Sequence, residues 1–132
     1  MNIYFAHSIR DYGTQKSRDA MVAIRERWPG AKVYNPEGMQ KDFRQVTAEI
    51  YEKILRRCLG DGEGLVAVLE HQDSIGRGVF TEVNLALRWG FPVFVLRDGE
   101  FVEVSSTCGE NRRDWSVHYS SLVLKGGPDA NT

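Results

Sequence analysis

The chain has 132 residues, 42% of them hydrophobic and 27% charged, a length and balance that suit one domain and are too small for two. Seventeen basic residues face 18 acidic ones, with no basic stripe of the kind a nucleic acid polymer needs. No run of about 18 apolar residues and no apolar leader core is present, so the expectation is a soluble, cytoplasmic protein without a membrane partner. Asn2 to Ala6 reads as a short apolar strand, and it runs straight into His7, Ser8, Arg10 and Asp11 before a glycine and a new helix. That helix is expected from about Thr14 to Trp28, with Met21, Ile24 and Trp28 on one face, and Pro29-Gly30 ends it. A strand over Lys32-Val33-Tyr34 leads through Asn35-Pro36-Glu37-Gly38 to a second helix carrying Ile50, Ile54, Leu55 and Cys58 up to Leu59.

Leu65-Val66-Ala67-Val68-Leu69 is an unbroken apolar run, as a strand covered by helices on both faces requires, and is the best central-strand candidate. A loop from Glu70 to Gly78 precedes a third helix, Val79 to Trp89, closed by Gly90. Pro92-Val93-Phe94-Val95-Leu96 is another buried-type strand. Beyond Gly99 the pattern weakens: Phe101 to Val104 suits a short strand, and Trp115 to Leu124 fits a strand or a docked segment equally. The βαβ repetition implies an α/β fold with a single open, mainly parallel sheet of four or five strands flanked by helices, Rossmann-like or flavodoxin-like. One domain over residues 1–124 and a flexible tail over residues 125–132 are expected. Cys58 and Cys108 match neither a CxxC nor a Cys/His ligand spacing and read as two ordinary thiols, so neither a metal nor a cofactor is expected.

In such a sheet ligands bind beyond the carboxyl ends of the strands. His7 to Asp11 sit at one such end. Glu70-His71-Gln72-Asp73-Ser74-Ile75-Gly76-Arg77-Gly78 sits at another and delivers Glu82 into the first turn of the third helix. Gly76 and Gly78 allow a backbone to approach a ligand closely, and the helix N-terminus adds free N–H donors. Taken alone, a glutamate in a first helical turn is accounted for by the helix macrodipole. Polar ends on two strands of one parallel sheet make a functional reading worth pursuing.

Tyr4-Phe5-Ala6-His7-Ser8-Ile9-Arg10 resembles the YFxGSIR segment of the 2'-deoxynucleoside 5'-phosphate N-hydrolases. Ser74-Ile75-Gly76 through Glu82-Val83-Asn84-Leu85-Ala86-Leu87, with Gly90-Phe91-Pro92-Val93, resembles the S-x-G-x-G-x-E-x-x-x-A segment of the wider nucleoside 2-deoxyribosyltransferase superfamily. The resemblance spans roughly Asn2 to Arg97 in element order. It implies cleavage of an N-glycosidic bond in a small-molecule nucleotide, with Glu82 attacking the anomeric carbon to form a glycosyl-enzyme ester. Tyr4 would orient Glu82. Asp73 or Ser74 would hold a sugar hydroxyl or assist the leaving base, and Ser8 and Arg10 would receive a 5'-phosphate. His7 stands where that family has glycine, and Asp11-Tyr12 place a negative charge beside the phosphate position. Glu49, Glu52 and Asp61 are candidates for the family's helix aspartate. The resemblance also implies a homodimer in which Ser105 or Ser106 reaches the partner's site. Three function classes follow: a nucleoside monophosphate hydrolase, a 2-deoxyribosyltransferase, and a nucleotide-binding module without catalysis.

Overall fold

In a computed structural model of the chain, which describes residues 1–37, 48–60, 63–108, 112–113 and 116–126, the first strand, β1, spans Asn2–His7 and is buried from Ile3 onward. A 3-10 turn over Ile9–Asp11 follows, then α1 over Gln15–Arg27. Thr14 starts that helix, its hydroxyl accepting the Ser17 N–H at 3.2 Å. β2 is Lys32–Tyr34, α2 is Ala48–Leu59, and β3 is Gly64–Leu69, buried at all six positions. The short strand β4, Ser74–Gly76, leads directly into α3, Arg77–Arg88. That helix ends in a Schellman turn: Gly90, at φ 83°, donates to the Leu87 carbonyl, and Phe91 donates to that of Ala86. The remaining strands are β5 (Val93–Arg97), β6 (Glu100–Thr107), β7 (Arg112–Arg113), β8 (Ser116–His118) and β9 (Leu122–Leu124).

Among the described residues the main sheet has six strands, in the order β2-β1-β3-β5-β6-β9. β2, β1, β3 and β5 are parallel, while β5 with β6 and β6 with β9 pair antiparallel. The chain is therefore α/β with a mainly parallel mixed sheet flanked by helices, and the expected four or five strands fall short of the count. The additional strand, β9, is three residues long and pairs with β6 across an irregularity between Val104 and Ser106, so no periodic pattern marks it. A second sheet, β4-β8-β7, also lay outside the expectation. Ile75 of β4 faces Val117 of β8 in register, and both are buried. The C-terminal segment thus clamps the chain just before α3.

Alternation along the strands divides the core in two. Tyr4, Ala6, Val66, Val68, Val93 and Val95 pack with α2 and α3 through Leu55, Cys58, Val79 and Val83. Ile3, Phe5, Leu65, Ala67 and Leu69 pack with Ala20 and Ile24 of α1. β3 lies between β1 and β5 with helices over both faces, which is why its apolar run is unbroken. Because β2 and β3 flank β1 on opposite sides, the winding reverses between β1 and β3, and the crevice of an open α/β sheet forms at such a point. No helix among the described residues is long and apolar enough to cross a membrane. Of the expected tail, Lys125 and Gly126 form a turn and residues 127–132 lie outside the described residues.

Candidate functional site

α3 begins at Arg77, two residues earlier than its apolar spacing suggests, because Gly76 at the end of β4 serves as its N-cap. Glu82 therefore lies in the second turn, and no acidic residue occupies the first. The macrodipole, which acts over the first turn, does not account for it. Glu82 is instead 4% exposed, on the helix face that meets β1 and α2. Tyr4 of β1 donates a hydrogen bond to its carboxyl group, whereas Oε2 is buried without a partner among the described residues. Burial pushes the Glu82 pKa up to about 8, against the opposing effect of the Tyr4 hydrogen bond. At neutral pH the ligand-free group is largely protonated.

Aromatic hydroxyls surround it. Burial raises Tyr4 well above the ordinary tyrosine range, and the Glu82 charge and hydrogen bond push the same way. Tyr12, in the loop after the 3-10 turn, is raised by burial and then by the charges of Glu82 and Glu37. Tyr51 of α2 is raised by burial and Glu82. Cys58, two helical turns further along α2, is raised by burial and Glu82 against the pull of Arg57. Tyr51 and Cys58 share the buried side of α2 with Leu55, while Ile50, expected on that face, is 38% exposed. Tyr12 and Tyr51 escaped the sequence reading, although Tyr51 stands four residues before Leu55 and seven before Cys58, which is helical spacing.

A second polar cluster lies on the α1 side of the same rim. His7 is buried, stacked on Phe5 with ring centroids 3.9 Å apart, and its Nε2 meets Glu37 Oε1 at 2.9 Å. Ser17 donates to the same Glu37 oxygen at 2.7 Å. Burial would raise the Glu37 carboxyl, but hydrogen bonds from His7, Ser17 and the Gly13 backbone outweigh it and hold the group below its ordinary value. The ring of Tyr12 lies 4.8 Å from that of His7, so this cluster and the surroundings of Glu82 are contiguous. Asp11 is also buried, and its Oδ1 accepts from His71 Nδ1 at 2.9 Å across the β1–β3 crevice. Asp11 Oδ2 has no partner among the described residues.

The expected residues are only partly assembled. Tyr4 and Glu82 meet. Ser8 is buried and its hydroxyl accepts the Arg10 N–H as cap of the 3-10 turn, while the Arg10 side chain is exposed. Asp73 is exposed in the tight turn that joins His71 to Ser74, and the Ser74 hydroxyl donates to the His71 carbonyl at 3.2 Å. Gly76 caps α3, and Gly78 lies inside the helix beneath the Tyr51 hydroxyl. Ser106 is exposed on β6, and Ser105 donates to the Val123 carbonyl. Glu49 is exposed, Glu52 pairs with Arg56, and Asp61 lies outside the described residues. Glu70 and Arg97, joined by two hydrogen bonds of 2.8 and 3.1 Å, tie the ends of β3 and β5, and Lys16 donates to the Glu70 carbonyl.

A cavity of about 360 Å³ lined by Tyr34, Ile54, Arg57 and Cys58 opens beside α2. It adjoins the Glu82 layer through Cys58 but lies on the β2 side, away from the β1–β3 crevice. Among the described residues no group of three or more histidine, cysteine, aspartate or glutamate side chains is arranged to hold a metal ion. No family model, curated protein or solved structure matches the chain.

Proposed function

We propose that the protein cleaves the N-glycosidic bond of a nucleoside 5'-monophosphate, with Glu82 as nucleophile. The observation that carries this reading is the buried Glu82 carboxyl, held by Tyr4 on the helix that follows β3 and β4 and left with one oxygen unpartnered among the described residues. An isolated buried acid is costly, and one at this place with a strongly raised pKa is a functional-site candidate. In its ionised form Glu82 attacks the anomeric carbon while the carbon–nitrogen bond breaks, and the base leaves with that electron pair and takes up a proton. Water then attacks the glycosyl ester, releasing the sugar phosphate and restoring the carboxylate. The oxocarbenium character of the transition state makes a nearby negative charge most stabilising where water is excluded. Tyr4 is the positioning residue. Because no solvent reaches Glu82 Oε2, a substrate meets it only after the side chains over it part.

The 5'-phosphate preference rests on Ser8 and on Arg10, which is exposed at the rim and carries the guanidinium that a phosphate would pair with. A second reading, a 2-deoxyribosyltransferase acting on uncharged nucleosides, is favoured by the buried carboxylate of Asp11 directly after them, which would repel a phosphate. Chromatography of a panel of nucleosides and nucleoside monophosphates incubated with the protein tests both readings, with and without an added acceptor base. Free base from monophosphates, abolished in folded Glu82→Gln, is the expected result. Base exchange from uncharged nucleosides would replace it with the second reading, and full activity in folded Glu82→Gln would overturn both.

A further inference from the structure

The β1–β3 crevice is bridged by Asp11 and His71, one from each strand's following loop. A carboxylate can only accept, so His71 Nδ1 carries the proton and fixes the orientation of Asp11 through Oδ1. The Asp11 side chain is 5% exposed, yet its second oxygen has no donor among the described residues. Buried polar atoms are normally satisfied, and an unmet acceptor at a ligand crevice calls for a donor that the described residues do not supply. Glu82 Oε2 repeats the pattern. Tyr12 follows Asp11 in the chain and lies close enough to feel the Glu82 charge.

We infer that Asp11 Oδ2, held in place by His71, accepts a hydrogen bond from a hydroxyl of the ligand's sugar ring, making this pair the subsite that selects a hydroxyl-bearing sugar. The inference rests on the N-glycosidase reading for the identity of the ligand. A neutral hydroxyl suits the position because it donates one hydrogen bond without bringing a second negative charge to Asp11.

The test measures binding to the Glu82→Gln protein, in which no turnover intervenes. Calorimetry compares the four ribonucleosides, the four 2'-deoxynucleosides and the matching 2',3'-dideoxynucleosides, as nucleosides and as 5'-monophosphates. In at least one base series, loss of the ring hydroxyls should weaken binding roughly ten- to hundredfold, as for a hydrogen bond to a charged group. With Asp11→Asn added, the ratio between hydroxylated and dideoxy ligands should narrow several-fold, because the amide oxygen stays with His71 and the charged acceptor is replaced by an NH2 group. Should Asp11→Asn fail to fold, His71→Asn serves instead and should narrow the same ratio. Equal binding of dideoxy and hydroxylated ligands to the Asp11 protein, or a ratio unchanged by both variants, overturns the inference. Base release by the wild type without hydroxyl discrimination would sink this subsite and leave the glycosidase reading standing. Discrimination that depends on Asp11, without base release from any substrate, would do the reverse. No binding of any of these ligands would sink both.

Discussion

The Tyr51 hydroxyl occupies the space that a side chain at Gly78 would need: a Cβ there would stand 2.2 Å from the hydroxyl oxygen and 2.6 Å from Cζ. The glycine lets α2 dock against the N-terminal half of α3, and the same contact keeps a tyrosine near Glu82. Gly78→Ala gains up to ~1 kcal/mol of helix propensity but must displace a ring, which typically costs about 1–3 kcal/mol. The expected net is a destabilisation on the order of 1 kcal/mol, together with a lower Glu82 pKa as water enters. Urea denaturation and a pH titration check both; a more stable variant with unchanged titration would show that Tyr51 yields freely.

Glu82 gives the fold an unusual pH response. Its folded pKa, about 8, lies above its ordinary value of 4.5, so between these values the native state binds the proton more tightly than the unfolded chain. Stability from this group is full below pH 4.5 and is lost as pH rises toward 8, by on the order of a few kcal/mol at about 1.4 kcal/mol per unit. Glu82→Gln keeps the shape and removes the titration. The difference in unfolding free energy between wild type and Glu82→Gln should therefore slope against the wild type across this window; a flat difference would mean that water already reaches the carboxyl group.

Glu37 responds in the opposite sense. Its carboxyl is held below its ordinary 4.5 by His7, Ser17 and the Gly13 backbone, so its contribution is present above that value and is lost as pH falls through the lower folded one. Glu37→Ala would leave the buried His7 Nε2 and Ser17 hydroxyl without their acceptor, at a cost of about 1–3 kcal/mol. Glu37→Gln retains an oxygen acceptor and should recover part of that loss, while its stability deficit shrinks below pH 4.5. Equal denaturation midpoints for wild type and Glu37→Ala would show the cluster to be dispensable.

The homodimer expectation bears on Ser106, which is exposed on β6. If a partner's site uses it, the active species is a dimer. Light scattering across dilution, paired with the base-release assay, should show activity tracking the dimer. Activity in a species that is monomeric at every concentration would assign Ser106 to the surface.

The parallel half of the fold was legible because its signals are local. Each strand that becomes β1, β3 or β5 is an apolar run, and Thr14, Pro29-Gly30 and Gly90 punctuate the helices between them. β4 and β9 left no such trace: each is three residues long and exists through pairing with a distant partner, as Ile75 does with Val117. The site divided in the same way. Tyr4 and Glu82 lie in recognisable segments and do meet, whereas Glu37 and His71 matter through partners 30 and 60 residues away, His7 and Asp11, and no spacing rule reaches that far. In the sequence Asp11 reads only as a negative charge beside the phosphate position. Its burial against His71 is a property of two loops brought together.

The Tyr4–Glu82 contact also makes a kinetic prediction that separates positioning from packing. The Tyr4 hydrogen bond lowers the Glu82 pKa, opposing burial, so Tyr4→Phe should raise that pKa above about 8. If the ionised carboxylate is the nucleophile, kcat/KM of the wild type should climb with pH until the free-enzyme group has ionised, near pH 8. In Tyr4→Phe the whole limb should move to higher pH. The deficit should be largest at neutral pH, roughly ten- to hundredfold for the loss of a hydrogen bond to a charged group, and smaller where both proteins are ionised. A hydroxyl that served only the core would lower stability and leave the shape of the profile alone. Superimposable profiles for wild type and Tyr4→Phe would therefore remove Tyr4 from the site, even if the variant were less stable.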